Sequence, residues 1–290
     1  MVDPTHNPWR PVLYARFRGQ PTPLLVLPDA LWTAASLWAG TRAWSKVFRE
    51  SGLIQGDVIA CALPPDSAFV QVLLACLWDG ITVIPLAPQH RVTDGLRRQQ
   101  PALEISDVSA GEARDWPIVV PDSAGQPPAG FGTFPRHDVR QSGIAVAFLS
   151  GAGEPDATTS FSAHELLAAA ERHAAVAELS GACVLSVMPW HSPTELIYGL
   201  LAALLVADEI VRLPDSDTPM RDAIALAAEH PVTHVNLAAP MAVEWLRDSE
   251  GARLLMRLKG TAVSPDDPCP AEIASALSRT ALRIVDRRVR

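Results

Sequence analysis

Short, nearly continuous apolar runs recur along this chain, each separated from the next by a segment of helical length. Residues 81–86 and 144–149 are the clearest of them. A strand without polar alternation has both faces covered, as in a parallel sheet flanked by helices. The pattern therefore predicts an α/β fold with largely parallel sheets and helical crossovers. It argues against an antiparallel sandwich or a helical bundle. In the first half, strands are expected at residues 12–17, 24–27, 57–63, 81–86, 103–105 and 118–120. Helices are expected at 33–50, 67–78 and 93–99, with Gly52 and Gly80 as natural stops. Residues 121–143 are rich in Pro, Gly, Ser and Asp and read as a linker or long loop. A second series follows, with strands at 144–149, 183–188, 209–212, 234–237, 257–263 and 282–285. Its helices are expected at 163–178, 194–207, 219–228, 241–247 and 270–277. The domain reading is 1–121, a first α/β subdomain; 122–143, a linker; and 144–290, a second α/β subdomain.

The formal net charge of −8 argues against a nucleic-acid surface. The basic cluster Arg283, Arg287, Arg288 and Arg290 reads as a solvated tail. Cys61, Cys76, Cys183 and Cys269 have no metal-ligand spacing and no disulfide framework, which fits a cytoplasmic setting. The N-terminus lacks a signal-peptide pattern. The longest apolar run, residues 196–207, is short of the roughly 20 residues a bilayer requires. Lys46 and Lys259 are the two lysines in the sequence, and both read as surface residues.

The segment Phe148-Leu149-Ser150-Gly151-Ala152-Gly153-Glu154-Pro155-Asp156 bears most directly on function. It joins an apolar strand to a helix expected near Ser162. A strand, a Gly/Ser loop and a helix make a common phosphate cradle, because loop N–H groups face the anion. Such loops also carry a cation. This one carries Glu154 and Asp156, and no Lys or Arg occurs from Gln141 to Glu171. His164-Glu165 invites comparison with the zinc helix H-E-x-x-H, but Ala168 holds the second histidine position, so an ordinary helix start is expected. His191 and Ser192 follow the strand at 183–188, at the carboxyl end, where α/β sheets bind ligands. A ligand pocket and a structural turn histidine are both open readings there. Asp215 with Asp217, and Asp266 with Asp267, read as turn carboxylates.

Taken in order, these segments resemble the adenylate-forming (AMP-binding) superfamily of acyl- and aryl-CoA synthetases, luciferases and peptide-synthetase adenylation domains. The match is best from Leu31 to Pro88: Glu50-Ser51-Gly52, then Gln55-Gly56-Asp57-Val58-Ile59-Ala60, Leu63-Pro64, Ser67, and Leu77 through Leu86. The Phe148 loop falls where the family has its Thr/Ser/Gly-rich phosphate loop. Met188-Pro189-Trp190-His191 is similar to an element near the acyl pocket. Leu258-Lys259-Gly260-Thr261-Ala262 looks like a later strand end. The resemblance implies two stacked, largely parallel α/β subdomains. It makes Trp190 and His191 candidate acyl-pocket residues, and Ser150, Gly151, Ala152, Gly153 and Asp156 a vestigial phosphate loop.

The departures matter equally. Asp156 stands where the family places lysine, and Ala152 where it places threonine. After Arg290 the family continues into adenine-, metal- and ribose-binding elements, a small barrel and a C-terminal domain, so the resemblance is to a truncated N-terminal portion. Three readings stay open: a non-catalytic homologue with a binding or scaffold role, one part of a split ligase, or a gene remnant. The first implies no catalytic residue, no metal and no cofactor. The second would require ATP and Mg²⁺. Expected partners are an acyl or aryl small molecule and a second chain, identical or different, at the C-terminal edge around Leu282, Ile284 and Val285. Nucleic acid and a membrane span are not expected.

Overall fold

The computed structural model describes residues 7–18, 22–90, 92–107, 115–122, 125–128, 143–149, 158–213, 218–264 and 269–286. The chain opens with α1 (Trp9–Phe17), β1 (Pro23–Leu27), β2 (Ala30–Thr33), α2 (Ala34–Glu50), β3 (Val58–Ala62) and α3 (Ser67–Asp79). It continues through β4 (Thr82–Pro85), α4 (Asp94–Gln99), β5 (Leu103–Ser106), β6 (Ile118–Val119), β7 (Ile144–Leu149) and β8 (Thr158–Ser162). Next come α5 (Ala163–Val176), β9 (Cys183–Ser186), a π-helix (Glu195–Leu201), α6 (Ala202–Val206) and β10 (Glu209–Arg212). The last elements are α7 (Pro219–Glu229), β11 (His234–Ala238), α8 (Ala239–Arg247), α9 (Ser249–Arg257), β12 (Lys259–Ser264), α10 (Ala271–Leu277) and β13 (Ala281–Asp286).

The chain divides into two units, Met1–Pro21 with Thr33–Ala168, and Thr22–Trp32 with Ala169–Arg290. Among the described residues, the first unit holds a six-stranded sheet of order β6-β5-β3-β4-β7-β8. Its ladders are parallel except for β7 with β8. The second unit holds a seven-stranded sheet of order β13-β12-β11-β9-β10-β1-β2, parallel from β13 through β1. The expected fold class, two largely parallel α/β units, is the one observed.

Local chemistry explains the elements. The Asp66 side chain accepts from the Phe69 amide at 3.0 Å and starts α3. Gly80, with φ of +74°, ends it in the left-handed conformation. Between them α3 is buried almost all round, so its sequence is apolar on every face. β3 is buried at every position, and β4 likewise.

The structure departs from the sequence reading at five points. Residues 12–17 form part of α1 rather than a strand: Trp9, Leu13 and Phe17 recur with helical spacing and are buried together. Residues 144–149, grouped by sequence with the second unit, pair with β4 in the first sheet. Among the described residues, β8 stands between that strand and the helix expected at 163, pairing back on β7 antiparallel. The helix expected at 194–207 begins as a π-helix, and an unanticipated helix, α9, precedes β12.

Gly260 of β12 sits hard against the backbone of the neighbouring strand. Its φ is +137°, and a Cβ there would lie 1.9 Å from the Val235 carbonyl oxygen of the paired strand. Gly260→Ala should therefore lower unfolding free energy by about 2–4 kcal/mol. Gly52→Ala, with φ of +86° but open space around it, should cost no more than about 1–2 kcal/mol. Urea denaturation of the two variants checks the difference.

Candidate functional site

The second sheet carries a row of polar side chains where an apolar row would be expected. Arg212 of β10 is in register with Ser186 of β9, Ser186 with Asn236 of β11, and Asn236 with Thr261 of β12. Residues in register point to the same face of a sheet. All four are buried. The neighbouring row, Val211, Leu185 and Val235, belongs to the apolar core on the other face. The polar row lies at the carboxyl ends of β9 and β10, where ligands bind in open α/β sheets.

The π-helix closes over this row. The Ser186 hydroxyl and Glu195 Oε1 are 2.7 Å apart, and Trp190 Nε1 donates to Ser186 Oγ at 2.8 Å. Arg212 donates from Nη1 to the Ser186 carbonyl at 3.0 Å, with its guanidinium 5.7 Å from the Trp190 ring centroid. Asn236 donates to the Tyr198 carbonyl at 3.1 Å and accepts from Thr261 Oγ1. The Tyr198 ring packs on His173, centroids 4.7 Å apart.

Glu195 is the most constrained group in the set. It has no exposed surface, and its Oε2 has no hydrogen-bond partner among the described residues. Its carboxyl folds along its own helix over Gly199, where a Cβ would lie 2.3 Å from it. Burial pushes this acid up to about 8, against the opposing pull of the Ser186 hydroxyl and the Arg212 guanidinium. Burial alone takes His173 down to about 4.

Of the residues singled out from sequence, Trp190 is a buried anchor and His191 a partly exposed residue in the turn after it. The sequence reading did not pick out Ser186, Glu195, Arg212, Asn236 or Thr261 around Trp190. The available signal was a polar residue inside each of several apolar strands. Ser150, Gly151, Ala152, Gly153 and Asp156, together with Glu154, lie outside the described residues, as do Asp215, Asp217, Asp266 and Asp267. His164-Glu165 is an ordinary helix start. The Glu165 carboxylate accepts from the Ser162 amide at 2.9 Å, and the Glu165 amide donates back to Ser162 Oγ at 3.2 Å, a capping box. Both lysines are exposed and face carboxylates, Lys46 with Glu50 at 3.7 Å and Lys259 with Glu178 at 2.7 Å. No group of three metal-ligating side chains occurs among the described residues.

The fold has close structural counterparts. The N-terminal subdomain of Klebsiella oxytoca NpsA, solved with 3-hydroxyanthranilyl-AMSN, superposes over 96% of this chain and 72% of its own, with TM-score 0.75 and 14% identity. VinN, solved with L-aspartate, matches over 97% of this chain and 76% of its own, with TM-score 0.75 and 18% identity. An artificially fused adenylation–carrier di-domain from Klebsiella oxytoca, NpsA-ThdA, matches over 96% of this chain and 52% of its own, with TM-score 0.74 and 14% identity. No protein-family model matches the sequence, and no curated protein matches it. The chain thus has the fold of an adenylation-domain N-terminal subdomain.

The Glu195 acid sets a stability trend with pH. Its folded value lies above its unfolded value, so the native state holds a proton that the unfolded state releases. The stabilisation is complete below the unfolded value of 4.5 and fades as pH rises towards about 8. Relative to Glu195→Gln, the native protein should lose up to about 1.4 kcal/mol per pH unit across that window, then level off. Urea denaturation of both proteins at pH 5, 6.5, 8 and 9 checks the slope.

Proposed function

We propose that this protein is a non-catalytic member of the adenylate-forming group that binds a small acyl or aryl acid without activating it. The observation that carries this reading is the loop from Ser150 to Asp156: its two charges are Glu154 and Asp156, and no cation occurs from Gln141 to Glu171. Placing an anion where a polyphosphate needs a cation reverses an interaction of about 1 kcal/mol at 4 Å in water and about 4 kcal/mol near a protein surface. Both lysines lie at the surface beside carboxylates, as solvated surface residues do, which supports the same reading. ATP and Mg²⁺ do not fit this residue set, and no reaction step is assigned to them.

The acyl or aryl acid is placed beside Trp190 and His191, at the carboxyl ends of the parallel strands. Support comes from the buried polar row beneath them and from the anthranilyl and L-aspartate complexes of proteins that share the fold. Ser150, Gly151, Ala152, Gly153 and Asp156 are the remnant of a phosphate loop. The reduced thiols Cys61, Cys76 and Cys183 are buried, which suits a cytoplasmic setting. Among the described residues no helix is long and apolar enough to cross a membrane.

Calorimetric titration should register binding of an aryl acid such as anthranilate and none of ATP–Mg²⁺. Pyrophosphate exchange across a panel of carboxylic acids should stay at background. Exchange by the pure chain would overturn the non-catalytic reading and favour a ligase. Asp156→Lys should raise nucleotide affinity if the loop backbone retains its cradle.

The partner reading concerns β13, which among the described residues is an edge strand of the second sheet. Its Leu282 is buried, whereas Ile284 is 36% exposed. Unpaired edges invite strand addition unless charge blocks them. Two copies are expected to associate through this edge. Light scattering over a concentration series should give a dimer mass for the native chain and a monomer mass for Ile284→Lys.

A further inference from the structure

The buried Glu195 carboxyl is left unexplained by a simple binding scaffold. Its contacts form a short chain: Glu195 to Ser186, Ser186 to the Trp190 indole, and Arg212 gripping both the Ser186 carbonyl and the Trp190 ring face. The Ser192 hydroxyl, at the end of the turn that carries His191, accepts from the Glu195 amide at 3.3 Å. The same residue therefore holds both sides of the Pro189–Ser192 turn.

We propose that Glu195 is a positioning residue whose carboxyl, acting through Ser186, sets the Trp190 indole and the His191 turn differently with and without its proton. As a neutral acid it fits the observed geometry: the Ser186 hydroxyl donates to Oε1, and the proton resides on Oε2 over Gly199. Loss of the proton leaves a buried charged oxygen with no donor among the described residues. Arg212 is the charged group that acts on it, and Arg212 already donates to the Ser186 carbonyl and lies over the Trp190 ring. Either the guanidinium moves towards the carboxylate and leaves the indole, or the carboxylate turns off Gly199 and draws Ser186 with it. Both movements change the surroundings of Trp190 Nε1.

The other titratable groups around this cluster stay neutral through the relevant range. His173, on α5, is held down at about 4 by burial. Tyr198, on the π-helix, is raised from 10.0 by burial, and Cys183, on β9, is raised to about 12. His191 is the nearby group that needs its own control.

The setting of the indole can be read without any ligand. In protein labelled with ¹⁵N-tryptophan, the Trp190 indole resonance is assigned by its loss in Trp190→Phe and followed from pH 6 to 10. It should move through one transition with a midpoint near 8. The movement should vanish in Glu195→Gln and persist in His191→Gln. A flat native resonance, or a transition that survives Glu195→Gln, overturns the proposal. Should Trp190→Phe not fold, Ser186→Ala identifies the same resonance, because it removes the indole's acceptor. A second arm rests on the ligand reading above. Anthranilate affinity measured at pH 7 and pH 9 should fall about tenfold in the native protein, as the competent fraction falls to about a tenth, and stay level in Glu195→Gln. No anthranilate binding at either pH, with the indole transition intact, overturns the ligand reading and leaves the positioning role standing.

Discussion

The contact between Glu195 and Ser186 is the centre on which the second unit's buried polar row is arranged. A carboxyl with no exposed surface requires neighbours that tolerate it, and the surrounding residues meet that need in different ways. Ser186 supplies a hydroxyl at the end of β9. Gly199 leaves room on the helix for the side chain to fold back. The Arg212 guanidinium pulls against the burial of the acid. The π-helix spans this same stretch, and π-geometry, rare in proteins, is frequent at functional sites. Trp190, one of the largest buried side chains, hangs on the same hydroxyl.

The architecture was largely legible in the sequence because helix caps and fully apolar strands are local signals. Asp66 and Gly80 bracket α3 as their residue types suggest, and β10 occupies residues 209–212 as expected. The failures involve longer-range or competing information. α1 contains β-branched and aromatic residues that suit a strand, and its helical state follows from burying Trp9, Leu13 and Phe17 on one side. The Asn7 side chain also ties this start to the end of α3, through the Leu77 and Trp78 carbonyls at 2.7 and 3.1 Å. No local pattern discloses a bond across that many residues. The placement of β7 beside β4 is likewise a pairing choice, which an apolar run does not encode.

The site was legible only in outline. His191 stood out because it follows an apolar strand at its carboxyl end, and Trp190 through the family resemblance of Met188-Pro189-Trp190-His191. The residues that organise them lie on four strands and a helix, and become a row only through sheet register. A single polar residue within an apolar strand, such as Ser186 or Asn236, reads as noise until its cross-strand partners are known. Glu195 was hidden for a different reason. An acid in the first turn of a helix suits the helix dipole, which gave no cause to expect it to be buried.

This row bears on whether the chain is a scaffold that does something or a remnant. Identity to the structures that share the fold is 14–18%, so overall likeness speaks for the backbone and its packing alone. Packing would be better served by apolar side chains, since replacing buried charged groups with well-fitted apolar ones is often neutral or stabilising. Here the polar choice recurs on β9, β10, β11 and β12, with Gly199 making room for Glu195 in the helix above. Local departures from the most stable choice that come with their own compensations are what functional sites look like. This buried polar row is the feature that supports the proposed binding role, beneath Trp190, over drift.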